Sequence, residues 1–150
     1  MSEMSISDML ARIKESGDCG LLMKAVPYTS FMGISASIVD GDLIGKLEFS
    51  KMLIGNPALP ALHGGTMGAL LESTSIFKVL WDAEQTVLPK TINITIEYLR
   101  RAKPCDTFAR GIVTRHGRRV ANVRAEAWQD DPERPVAIAY ANFLVTDAAT

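Results

Sequence analysis

Glu72 is the only ionisable side chain between Thr66 and Phe77, in a run (TMGALLESTSIF) otherwise made of apolar, small and hydroxyl residues. A carboxylate in such a setting needs a partner or a task, because an unpaired buried charge is strongly destabilising. Just upstream stands His63-Gly64-Gly65. Adjacent glycines at a helix start leave backbone N–H groups open to a ligand atom, and the helix dipole adds partial positive charge there. Such a place can hold an oxyanion, which is what acyl transfer requires. Each feature also has a structural explanation. The glycines can serve close packing, His63 can be a hydrogen-bonding group rather than a base, and Glu72 can be satisfied by Ser73, Ser75 or nearby backbone.

Spacing adds a condition. Gly64 and Glu72 are eight residues apart, which on one helix is about 12 Å. A glutamate side chain does not span that distance. If both groups act on one substrate atom, Glu72 must meet the Gly64 of a second copy of the chain. Gly64, Gly65, Gly68, Ala69 and Ser73 allow close approach of two backbones, and a two-fold axis would create two equivalent sites.

The elements that position these groups are readable in outline. Ile6, Met9, Leu10 and Ile13 fall at helical spacing over residues 5–16, and Gly17 is a stop signal. FMGISASIVDGDLIGKLEFS reads as two short strands around Asp40-Gly41-Asp42. A loop punctuated by Pro57 and Pro60 leads into an apolar helix over residues 64–81. After Pro89 the pattern is β to the end. In TINITIEYL, Ile92, Ile94, Ile96 and Tyr98 share one face, with Thr91, Asn93, Thr95 and Glu97 on the other. TFARGIVTR, a turn at His116-Gly117, RRVANVRAEAWQ (Ala121, Val123, Ala125 and Ala127 on one face) and VAIAYANFLVT complete four strands. Strands joined by tight turns pair antiparallel. The expected architecture is α+β, one antiparallel sheet wrapped around one central helix, in a single domain spanning residues 1–150.

Composition narrows the function classes. Of 150 residues, 47% are hydrophobic and 22% charged, and the net charge is −1, so there is no basic footprint for nucleic acid or an anionic membrane. No apolar run reaches the roughly 20 residues of a membrane span, and the N-terminal stretch lacks the apolar centre of a signal peptide. Cys19 and Cys105 have no metal-like spacing; two reduced thiols in a cytoplasmic setting are expected, with a disulfide as the alternative. Arg100, Arg101 and Lys103 follow the third strand, and Arg115, Arg118 and Arg119 flank a later turn. They can hold phosphate groups or be solvated basic turns. No aromatic residues are interleaved to stack bases.

Taken in order, Asn56, His63-Gly64-Gly65 and an acid nine positions after the histidine resemble the hotdog-fold acyl-CoA thioesterases. The closest branch is similar to the phenylacetate-degradation type and its 4-hydroxybenzoyl-CoA relatives. The similarity runs on through TINITIEYLRRAKPCDTF, RHGRR and AIAYANFLV, covering about residues 30–146. It implies hydrolysis of an aliphatic or aryl acyl-CoA in a homodimer or homotetramer, with no metal and no cofactor beyond the CoA of the substrate. It also implies that Gly64 polarises the carbonyl and that Glu72, from the opposite subunit, is base or nucleophile. In the same reading Asn56 attends the carbonyl or the attacking water and Thr91 helps hold that water, with His63 beside them, and Gly65, Arg100, Arg101, Arg118 and Arg119 bind substrate. The segment NPALPALHGG is one residue longer than the family spacing and carries two prolines. The acid, more often aspartate in this branch, is glutamate. Met67, Leu71, Phe77 and Trp81 are either pocket lining or core. A non-catalytic acyl-CoA-binding module and an enoyl-thioester hydratase or dehydratase are the competing readings.

Overall fold

The computed structural model describes residues 4–83 and 86–146; the ends of the expected 1–150 unit lie outside the described residues. Helix α1 (Ile6–Ser16) is followed by two short helices, α2 (Gly20–Ala25) and α3 (Pro27–Met32), and by the hairpin β1 (Ile34–Val39) and β2 (Asp42–Leu47). A small ribbon, β3 (Ile54–Asn56) with β4 (Ala61–Leu62), leads into the long helix α4 (Gly64–Asp82). Strands β5 (Lys90–Tyr98), β6 (Thr107–His116), β7 (Val120–Trp128) and β8 (Ala137–Leu144) follow.

Local chemistry accounts for the boundaries. Ser5 caps α1 by accepting from the Asp8 amide at 3.1 Å, and Gly17 ends it in the left-handed region. In the hairpin, Asp40 and Gly41 both have positive φ (51° and 80°), the conformation that a two-residue primed turn requires. Two expectations are corrected here. Phe31 and Met32 belong to α3 rather than to a strand, and the loop before α4 contains the β3–β4 ribbon.

All six strands of the main sheet pair antiparallel, in the order β1-β2-β6-β7-β8-β5. The last four are therefore not joined only by tight turns. Residues 99–106 carry the chain across the sheet, because the Leu99 and Arg100 amides bond to Val136 O and the Leu62 amide bonds to Ala102 O. This crossover leaves β5 at the sheet edge.

The sheet wraps α4, as expected. Its inner face carries small residues, Ala109, Ala121, Ala125, Ala127, Ala137, Ala139 and Ala141, all buried. Leu70, Leu71 and Phe77 of the helix fill the hollow they leave, each contributing about 1.5–3 kcal/mol by burial. Contact is closest at Gly45 of β2, where an added Cβ would lie 2.1 Å from Thr74 Oγ1. Met9, Leu10 and Ile13 of α1 and Leu22 of α2 close the far end of the helix around Phe77 and Leu80.

One register irregularity matters for the site. Thr91 pairs with Phe143 but Asn93 pairs with Asn142, so Ile92 is an extra residue, a β-bulge. Thr91 therefore shares the helix-facing side with Ile94 and Ile96, while Asn93 points outward. The expected single face of Ile92, Ile94, Ile96 and Tyr98 is broken at its first member, and Ile92 is exposed.

Candidate active site at the open face of the long helix

At the start of α4, His63 is the N-cap. Its Nδ1 accepts from the Gly65 amide at 2.9 Å, which places the neutral ring's proton on Nε2. Its carbonyl accepts from the Thr66 amide (2.9 Å) and hydroxyl (2.6 Å). The two expected ligand-binding amides are thus distinguished. Gly65 N–H is taken by the cap, whereas Gly64 N–H has no acceptor among the described residues. Tyr98, at the end of β5, donates its hydroxyl to Gly64 O at 2.9 Å, and its ring lies about where a Gly64 Cβ would need room, 3.1 Å away.

Glu72 lies on the stripe of α4 that the sheet leaves uncovered. Gly65, Gly68, Ala69, Glu72, Ser73 and Ile76 line a cavity of about 360 Å³ with Ile94 and Ile96 of β5 and Val26 and Tyr28 of the α2–α3 corner. The carboxylate is half-buried, and its Oε1 accepts from Thr91 Oγ1 at 2.6 Å. Neither Ser73 nor Ser75 is its partner: Ser75 donates to Leu71 O. The bulge at Ile92 makes the Thr91 contact possible. α4 is unbroken from Gly64 to Asp82, so the Gly64 amide and Glu72 remain about 12 Å apart along it, and one chain does not bring them together.

Asn56 sits at the end of β3, paired with Ala61 and exposed. Its Oδ1 accepts from the Ala58 and Leu59 amides (3.1 and 3.2 Å), an Asx turn that shapes the proline-bearing loop. Its Nδ2 remains as a donor. Arg100 and Arg101 line a second cavity of about 260 Å³ beside Gly64, Met67 and Tyr98; Arg100 is fixed by donating to Pro135 O at 2.9 Å. Arg118 and Arg119 are at the opposite end of the sheet, where Val120 pairs with Leu144 and Leu144 with Lys90. Met67, Leu71 and Phe77 are core, though Met67 also touches the second cavity; Trp81 packs against the α1 cluster. Sequence reasoning missed Tyr98 and Tyr28, whose only signal was an aromatic in a β-prone run. Cys19 and Cys105 are both free thiols. Among the described residues no group of His, Cys, Asp or Glu is placed to hold a metal ion, and no helix is long and apolar enough to cross a membrane.

Comparison with known proteins decides the family. Residues 56–144 match the acyl-CoA thioesterase N-terminal domain. The chain belongs to that family. A protein from Chromobacterium violaceum is 35% identical over 93% of this chain and 97% of its own, with a TM-score of 0.73. A phenylacetic acid degradation-related protein from Ralstonia eutropha, described as a candidate thioesterase, is 25% identical over 91% of this chain and 99% of its own (TM-score 0.74). A Bacillus halodurans protein crystallised with CoA has the same fold, at 19% identity over 99% of this chain and 97% of its own (TM-score 0.73). No protein of curated function matches the chain. The architecture of this thioesterase-family chain is the hotdog fold. The matched span takes in Asn56, His63, Gly64, Glu72, Thr91 and all four candidate arginines, and leaves Tyr28 outside.

Proposed function

We propose that this protein hydrolyses an acyl-CoA thioester at a site shared by two copies of the chain. One observation carries the reading: Glu72, held by Thr91, faces an open cavity, while the unpaired Gly64 amide on the same continuous helix is out of its reach. Support for a second copy comes from β5. It is an edge strand of nine residues beside that cavity, hydrogen-bonded on one side only among the described residues, and such edges are normally covered or paired.

In this reading the thioester carbonyl oxygen accepts a hydrogen bond from the Gly64 amide of one copy, which stabilises the developing oxyanion. Glu72 of the other copy takes a proton from water as the water oxygen bonds to the carbonyl carbon. Collapse of the tetrahedral adduct breaks the C–S bond, and CoA leaves as a thiolate that recovers the proton. Direct attack by Glu72, giving a mixed anhydride that water then cleaves, yields the same products. His63 serves by capping the helix and aiming the Gly64 amide, and Asn56 offers Nδ2 to the carbonyl or the water. The family membership and the CoA bound by the Bacillus halodurans protein support CoA as leaving group, with Arg100 and Arg101 beside Gly64 to meet its phosphates. A two-fold axis that carries Glu72 to Gly64 also carries the Arg118–Arg119 end of one copy toward that same place.

The test is thiol release from short, medium, long-chain and aryl CoA thioesters. Wild type turns over at least one class, and Glu72→Ala and Glu72→Gln lose about 10²–10⁴-fold. Wild-type turnover in both variants would remove Glu72 from the chemistry.

A further inference from the structure

We propose that Tyr28, braced by Phe31, sets the size of the acyl group that the site accepts; this deepens the reading above and rests on it for the identity of the ligand. The two aromatics stand three residues apart on α3, with ring centroids 6.1 Å apart and planes 30° from parallel. They are 55% and 76% exposed and belong to none of the core clusters. Neither ring therefore contributes much to the fold by burial, yet exposed large apolar groups placed side by side are the informative kind.

The helix that carries them is firmly held. Thr29, fully buried between them in sequence, donates both its hydroxyl (2.6 Å) and its amide (2.9 Å) to Val26 O. Pro27 occupies the first turn, where its fixed φ suits a helix start. With its backbone anchored, α3 places Tyr28 on the wall of the cavity that Glu72 also lines, and Phe31, which is not among the lining residues, stacks against it.

The other cavity walls are Val26, Ile76, Ile94 and Ile96, over a floor of Gly65, Gly68 and Ala69. Among the described residues Glu72 is the only charged group that lines the cavity, and Ser73 bears the only hydroxyl besides that of Tyr28. That lining suits a hydrocarbon or aryl group, not the anionic nucleotide, whose cationic partners lie elsewhere. The floor and the isoleucine walls are built into α4 and β5. Tyr28 is the one large lining residue on a separate, short element, so it is the wall that a single substitution can move back without touching helix or sheet.

Non-hydrolysable S-alkyl-CoA thioethers of increasing chain length, measured by calorimetry on the full-length protein, test this without needing turnover. Wild-type affinity should rise with length to a limit. Tyr28→Ala should move that limit to longer chains, with a gain of about fourfold for each further methylene admitted. Tyr28→Phe should leave it in place, Tyr28→Trp should shorten it, and Phe31→Ala should blunt it by letting the Tyr28 ring swing. The same length profile in wild type, Tyr28→Ala and Tyr28→Trp overturns the proposal. So does an equal loss for every length and for CoA alone, the result expected if the aromatics serve packing between copies. Thioethers that bind and shift with Tyr28, alongside thioesters that are never cleaved, would sink the hydrolase reading and leave this one standing. No binding at any length overturns this proposal, while thiol release from thioesters decides separately whether the hydrolase reading stands.

Discussion

Thr91 donates its hydroxyl proton to Glu72 Oε1 at 2.6 Å, although strict alternation along β5 puts Thr91 on the far face from Ile94 and Ile96. The bulge at Ile92 reconciles the two. A hydrogen bond to a charged acceptor is worth about 1.5–3 kcal/mol in place, enough to hold the carboxylate in one orientation over the cavity.

Thr91→Val keeps the shape and removes the donor. It should lower kcat about tenfold with KM little changed, while Thr91→Ser retains activity. Steady-state kinetics decide. A rise in KM with kcat intact would mean that Thr91 shapes binding and does not orient the acid.

The Gly64 amide can be deleted almost alone. Gly64 is the first helical residue, a position that accepts proline, and His63 already has the extended backbone that a following proline demands (ψ 135°). Either new side chain presses on the Tyr98 ring by a few tenths of an ångström, since the Cβ would stand 3.1 Å from it. Gly64→Ala keeps the N–H and should lose little; Gly64→Pro should lose about 10²–10³-fold in kcat. Equal loss in both variants points to the ring displacement instead.

Mixing the inactive Gly64→Pro and Glu72→Ala proteins should restore activity. Half the re-formed dimers are mixed and each mixed dimer has one intact site of two, so about a quarter of wild-type turnover returns. Failure to recover any activity after verified subunit exchange would place both groups in one chain or neither in the reaction.

Gly45→Ala drives a Cβ to 2.1 Å from Thr74 Oγ1, between a central strand and a fully buried helix position. Overpacking of this kind should cost about 2–3 kcal/mol in urea unfolding. Thr74 Oγ1 is itself buried without a partner among the described residues, so Thr74→Ala should cost little and should rescue most of the Gly45→Ala loss. Thr74→Ser, which keeps the oxygen, should not rescue.

Asp106 ties the crossover to β2. It accepts from the Phe49 amide at 2.8 Å and pairs with Lys46 at 3.2 Å, and these two, the amide first, hold its carboxyl below the usual aspartate range. A lowered folded pKa means stability that is fully present above the unfolded value, about pH 4, and lost as the pH falls through the folded one. Asp106→Ala should destabilise by about 1 kcal/mol at neutral pH. That gap from wild type should close on acidification below pH about 4; a gap constant down to the acid limit would contradict the assignment.

Much of this arrangement was legible in the residues. The Asp40-Gly41 turn, the apolar run of α4 and the alanine alternation of β7 each specify one element by local chemistry. The lone Glu72 and its spacing from Gly64 make a candidate site readable in the chain itself. What was illegible depended on tertiary contact. PYTSFM is too short and too β-prone to announce a helix; α3 exists because Thr29 and Val26 lock it down. TINITIE carries no bulge signature, so the face that Thr91 takes is decided by its neighbours on β8. The edge position of β5 follows from the crossover at residues 99–106, and the cavity wall formed by Tyr28 joins segments far apart in the chain.

The outer surface of the sheet bears on that bulge. Asn122 Nδ2 donates to Asn142 Oδ1, and Asn142 Nδ2 donates to Asn93 Oδ1 at 2.7 Å, a row of amides across three strands that ends on the residue just after Ile92. An extra residue in a strand behaves like a dislocation in a crystal: in principle it can migrate one step along the lattice, and the strand between its old and new positions then turns over. The amide row is the pinning point. It holds the defect at Ile92, and so keeps Thr91 turned inward toward the acid from the opposite side of the sheet.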